Sequence, residues 1–223
     1  MTEKKSLNPS IDNFNKNLGQ PNPLSNLKSF SDMTQKPALL LHSCCGPCST
    51  AVIERLIEEF QITVFFYNPC ITNPEEYQKR KETQILFIKQ YNESLPPKDK
   101  ISFKEGHYEP KAFYKLVSGL EDQPEGGRRC QICFLQRLEK TVEYAKLLAY
   151  DYFATTLTVS PHKNYEIITG IGKRLGIKYG LTFLDRDFKK KNGFKRSVVL
   201  SKEYQLYRQN YCGCEYSNWE GDR

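Results

Sequence analysis

Pro37-Ala38-Leu39-Leu40-Leu41-His42-Ser43-Cys44-Cys45-Gly46-Pro47-Cys48-Ser49-Thr50 is the stretch that decides the fold. Its apolar run, Ala38 to Leu41, falls far short of the roughly 20 residues a membrane span needs and suits a strand buried on both faces. Gly46 and Pro47 supply a turn, and beyond it Ala51, Val52, Leu56, Ile57 and Phe60 recur at helical spacing. The rest of the chain repeats this alternation. Strands are expected at 62–67, 101–104, 152–156 and 179–184, and helices at 73–93, 110–116, 129–148, 164–175 and 202–209. The helix at 73 carries its own start signal: a capping Asn73, then Pro74, then Glu75 and Glu76 against the helix dipole. Strands alternating with helices predict an α/β, Rossmann-like parallel sheet with helices on both faces.

The chain has 223 residues, 39% of them hydrophobic, enough for a buried core and incompatible with disorder throughout. Residues 1–36 read as a flexible polar tail without the apolar centre of a signal peptide, and 37–223 as a single domain. A cytoplasmic protein without membrane contact is expected. The glycines of Gly170-Ile171-Gly172-Lys173-Arg174-Leu175-Gly176 fall inside a helical pattern rather than after a strand, so no nucleotide loop is read there.

Eight cysteines are many for a reducing compartment, where metal ligation or redox chemistry is expected rather than disulfide staples. They are grouped. Cys44, Cys45 and Cys48 follow the first strand directly, at a helix N-terminus that favours thiolates. Parallel sheets bind ligands beyond that edge. The spacing of Cys130 and Cys133 lets both sulfurs face one centre, as Zn and Fe–S sites require. Adjacent side chains such as Cys44 and Cys45 are expected to diverge and bind different metals. That favours a [4Fe–4S] cluster on Cys44, Cys45, Cys130 and Cys133 over a tetrahedral zinc site. In Cys212-Gly213-Cys214 the glycine permits the tight turn of a reducible disulfide; further metal ligation is the alternative. Cys70, alone, reads as a small hydrophobe near the end of the second strand.

His42, on an apolar strand, reads as a core residue, His107 as a loop residue, and His162, after the fourth strand, as a candidate substrate contact. Tyr204, Tyr207 and Tyr211 recur at helical spacing and read as a packing face, with base stacking the sharper alternative. The net charge is +7, and between Arg186 and Arg208 eight bases face two acids. Lys189, Lys190, Lys191, Lys195 and Arg196 are the phosphate-binding candidates; a solvated face is the other reading.

Several strings resemble the cobalamin-independent epoxyqueuosine reductases, the QueH family: Leu40 to Thr50, Phe66-Tyr67-Asn68-Pro69, Glu75-Glu76-Tyr77, Arg128 to Cys133, Thr155 to Lys163, and Tyr211 to Cys214. The resemblance spans about 37–217. It implies reduction of epoxyqueuosine to queuosine at the wobble position of tRNA anticodons, the last step of that modification. It implies a [4Fe–4S] cluster on Cys44, Cys45, Cys130 and Cys133, a redox-active disulfide at Cys212 and Cys214, tRNA as partner, an external electron donor, and no cobalamin. Some members carry Asp at the position of Cys48, in a region associated with an additional iron ion, which makes Cys48 a candidate ligand of a second metal. Tyr67, Tyr211 and His162 are candidate proton donors. A zinc-stabilised nucleic-acid-binding module and a thiol–disulfide oxidoreductase are the competing classes.

Overall fold

A computed structural model of the chain describes residues 35–217. All but the last two residues of the expected tail, 1–36, lie outside them. The strands are β1 (Ala38–His42), β2 (Gln61–Phe66), β3 (Ser102–Glu105), β4 (Tyr152–Thr155) and β5 (Thr182–Phe183). The helices are α1 (Gly46–Leu56), α2 (Pro74–Glu93), α3 (Pro110–Val117), α4 (Arg128–Leu147), α5 (Tyr165–Tyr179) and α6 (Gly193–Glu203). All strand pairs are parallel, in the order β3-β2-β1-β4-β5. This is the Rossmann-like α/β architecture expected. Among the described residues no helix is long and apolar enough to cross a membrane.

Central β1 explains the apolar run. Its Leu40 pairs with Thr63 on one side and Phe153 on the other, and Leu39, Leu40 and Leu41 are fully buried. Side chains alternate along a strand. Leu39 and Leu41 therefore pack with Ile62 and Val64 against Val52 and Ile53 of α1 and Phe87 of α2. Leu40 packs on the opposite face with Phe65 and Phe153 against Leu138 of α4 and Ile168 of α5. The sheet grows from β1 through β2 to β3 in one direction and through β4 to β5 in the other. The switch point lies beyond the carboxyl ends of β1 and β4, where such sheets bind ligands.

Two expectations are corrected at the C-terminal end. The last helix is Gly193–Glu203, not 202–209. Its face against α1 uses Ser197 and Ser201, 2% and 1% exposed, whose hydroxyls bond back to the carbonyls of Phe194 and Ser197. Small polar residues at a close helix contact leave no apolar period to read. The helix stops at Tyr204 because Gln205 takes a left-handed φ of 52°. The three tyrosines are thus not one helical face. Tyr204 meets Phe87, the Tyr207 hydroxyl donates to Glu76 at 2.9 Å, and the Tyr211 ring lies 5.2 Å from the Arg80 guanidinium.

The other correction concerns the fifth strand, expected over 179–184. It is only Thr182–Phe183, because α5 runs on to Tyr179 and ends at Gly180, φ 65°. A Cβ at Gly172 would stand 2.7 Å from the Phe183 ring, so that glycine serves the packing of α5 on β5.

Candidate metal centre

The first thiol group is built at the end of β1. The His42 ring is held by the Thr155 hydroxyl at 2.9 Å and the Tyr67 carbonyl at 3.1 Å, the core role expected. Burial, then Arg137, push its pKa down to about 4, so the ring is neutral. The following turn is fixed by Asn68, whose amide donates to the Ser43 carbonyl at 2.9 Å, and by the Ser43 hydroxyl donating to Gln84 at 2.7 Å. Cys45 caps α1 in an extended conformation, φ −174°.

At this turn the neighbouring sulfurs do not diverge as expected. Cys44 and Cys45 Sγ lie 3.9 Å apart, and the sulfurs of Cys44, Cys45 and Cys48 all fall within 4.8 Å of one another. The strand alternation that would separate them ends at His42. Hydrogen bonds from Cys45 and Cys48 hold the Cys44 pKa well below the usual thiol range. Burial pushes Cys45 up to about 12, and hydrogen bonding to Cys44 raises Cys48. Of the three, Cys44 is the thiol whose ionisation this arrangement favours. The Gln209 side-chain amide adds an N–H to Cys45 Sγ at 2.9 Å.

The second group lies in the first two turns of α4. The Gly126 N–H points at Cys130 Sγ, 3.2 Å away, and Cys133 is buried. Sequence reading undervalued Cys70. It does pack as a hydrophobe, 1% exposed, with Phe113, Cys133 and Cys214. It also accepts a hydrogen bond from the Cys133 thiol, which lowers its pKa to about 6 and raises that of Cys133. Its position after Asn68-Pro69, beyond β2, was the available signal.

Cys212 and Cys214 are free thiols in this structure, not a disulfide. Gly213 between them has φ 100°. Arg80 donates to the Cys212 carbonyl at 2.9 Å and to the Tyr211 carbonyl at 3.0 Å, and the Thr72 N–H donates to the Gly213 carbonyl at 3.1 Å. Burial raises the pKa of Cys212 and pushes Cys214 up to about 12.

Two cavities meet here. One, of about 440 Å³, is walled by Cys44, Cys48, Arg80 and Arg208; the other, of about 30 Å³, lies between Cys130, Cys133 and Cys214. Arg137, His162, Lys163 and Cys212 border both. Among the described residues, Cys44, Cys45 and Cys48 are the only group of three or more His, Cys, Asp or Glu side chains close enough to share an ion. Cys130 and Cys133 stand across the shared wall from them. Soft sulfur donors flanked by cations suit a thiolate-ligated iron or zinc centre rather than a hard ion such as Mg²⁺. Burial opposes the charge of Lys163, but Cys212, Cys44 and Cys48 outweigh it and push its pKa up, so the ammonium persists.

The basic segment divides. Lys190, Lys191, Lys195 and Arg196 are exposed. Arg196 forms a fork with Glu54, and Lys189 turns inward to donate to the Lys163 carbonyl at 3.1 Å. Arg55, in the last turn of α1, donates to the Lys190 and Lys191 carbonyls at 2.9 Å each and leaves their ammonium groups outward. Phe194 and Arg208 carry this segment to the wall of the larger cavity.

Residues 39–220 match the family model described as epoxyqueuosine reductase QueH. A relative of that name from Streptococcus pyogenes serotype M1 is 43% identical over 190 residues, 85% of this chain and 74% of its own. One from Staphylococcus epidermidis is 38% identical, covering 82% and 77%, and one from Thermotoga maritima 36% identical, covering 80% and 89%. Such similarity extends through all three cysteine groups and the sheet that positions them, and on that ground this chain belongs to the QueH family of epoxyqueuosine reductases.

Proposed function

We propose that this protein reduces epoxyqueuosine to queuosine at the wobble position of tRNA anticodons, in the cytoplasm and without cobalamin, at a [4Fe–4S] cluster held by Cys44, Cys45, Cys130 and Cys133. The observation that carries the reading is the convergence of three cysteine groups from distant parts of the chain on two adjoining cavities that share Arg137, His162, Lys163 and Cys212, at the sheet's switch point. Cys48 is the proposed ligand of an additional iron ion. When bound, the cluster supplies electrons singly and an iron that draws on the epoxide oxygen.

The protein's own groups do the rest. The cavity of about 440 Å³ takes an extruded modified base, and Lys163 offers its proton to the epoxide oxygen. Converting the epoxide to an alkene and water consumes two electrons and two protons. Oxidation of Cys212 and Cys214 to a disulfide releases the same number, and an external donor then reduces that disulfide. Lys190, Lys191 and Lys195 hold the tRNA backbone.

An anaerobic assay tests this. Reconstituted protein, a chemical reductant and epoxyqueuosine-containing tRNA should yield queuosine by nucleoside mass spectrometry; no queuosine from iron-loaded protein overturns it. The compact Cys44, Cys45 and Cys48 triad supports a second reading, a single zinc ion stabilising a nucleic-acid-binding module. Stoichiometric zinc in a colourless protein would select it.

A further inference from the structure

We infer that Arg137 is the fixed counter-cation of the iron–sulfur cluster and sets its reduction potential. The inference rests on the cluster reading just proposed. Arg137 lies one turn beyond Cys133 on α4 and its Nε donates to the Cys133 carbonyl at 3.2 Å. The residue is 2% exposed, its Nη2 has no hydrogen-bond partner, and among the described residues no carboxylate forms an ion pair with it. A buried guanidinium without an anion is costly. Unlike a lysine, it cannot shed its proton to escape that cost.

The groups that act on it identify the missing anion. Arg137 lines both cavities, beside Cys133 and Cys212 in the smaller and Cys44 and Cys212 in the larger. These sulfurs and that of Cys70 favour its charge, Lys163 on the shared wall repels it, and the Phe134 ring lies 5.6 Å away. The anionic partners that attract it are all sulfurs: one from each proposed ligand pair, one from the dithiol, and Cys70. Four thiolates on a [4Fe–4S]²⁺ core leave a dianion, and reduction adds another negative charge. A permanent cation fixed in the same low-dielectric wall favours the added electron, because net charge and local electrostatics set the potential of such clusters.

The test is a potentiometric titration, followed by electron paramagnetic resonance, of anaerobically reconstituted wild type, Arg137→Lys and Arg137→Gln, with iron determined for each. Arg137→Gln should disfavour cluster reduction at least tenfold, a fall of 59 mV for one electron. Arg137→Lys should stay within about threefold of wild type, since it restores the charge. Loss of iron from the Gln variant alone also supports the inference, because charge is then needed to hold the cluster. Wild-type potential in an iron-loaded Gln variant, an equal shift in both variants, or loss of iron from both overturns it. Iron-free wild-type protein would overturn the cluster reading and this inference together; the other failures leave the cluster reading standing.

Discussion

Arg80 Nη1 donates to the carbonyl oxygen of Cys212 at 2.9 Å, joining residues 132 positions apart in the chain. The same guanidinium pairs with Glu76 on its own helix, so α2 holds the C-terminal dithiol in place through one buried fork. Arg80→Met removes both the clamp and the partner of Glu76. It should cost about 3 kcal/mol in urea unfolding and speed alkylation of Cys212 and Cys214 severalfold. Unchanged alkylation would mean that the turn holds itself.

Gly213→Ala tests the turn directly. Its φ of 100° disfavours any side chain, and a Cβ would stand 3.0 Å from Arg80 Nη1 and Ile71 Cγ1. A cost of about 1–3 kcal/mol is expected, with at least tenfold slower multiple turnover at wild-type iron content.

Serine at Cys44, Cys45, Cys130 or Cys133 should strip iron and abolish turnover, because a hard alcohol is a poor replacement for a thiolate. Serine at Cys212 or Cys214 should keep the iron and the visible spectrum yet stop multiple turnover. Iron analysis separates ligands from electron carriers: loss of iron from the second pair would make them ligands.

Changing Lys190, Lys191 and Lys195 together to Ala should weaken tRNA binding and flatten its salt dependence by about 0.7 in slope per lost phosphate contact. Arg196→Ala should do much less, since its fork is occupied by Glu54. Filter binding at several salt concentrations checks both.

His42 makes stability depend on pH. Its folded pKa, about 4, lies below the ordinary 6.5, so the unfolded chain binds the extra proton first. Its contribution is complete above pH 6.5 and is lost as pH falls toward 4, about 3 kcal/mol over the window. Urea unfolding between pH 7 and pH 5 should show the slope in wild type and a flatter one in His42→Asn.

The fold was legible where burial wrote a period into the sequence. Leu39-Leu40-Leu41 announced a strand covered on both faces, and Asn73-Pro74-Glu75-Glu76 announced α2. The signal failed at α6, where Ser197 and Ser201 meet α1 through small polar side chains, and at β5, where two residues carry no alternation. At the site, the three cysteine groups were legible from spacing. The convergence of Cys44 and Cys45 was not, because it depends on an extended Cys45 at a helix cap. Arg80 and Arg137 gave no signal for another reason: both lie on long polar helices, and only the packing of α2 and α4 buries them.

The two ends of α1 have separate duties. Its N-terminus carries Cys45 and Cys48, and its last turn carries Arg55, which grips the backbone under Lys190 and Lys191. The helix therefore acts as a ruler. Ten residues at 1.5 Å each separate Cys45 from Arg55 by about 15 Å along the axis. On the tRNA reading, a substrate must present its reactive base and its gripped phosphates at that fixed spacing, so a base too close to a strand end would leave one of the two unengaged.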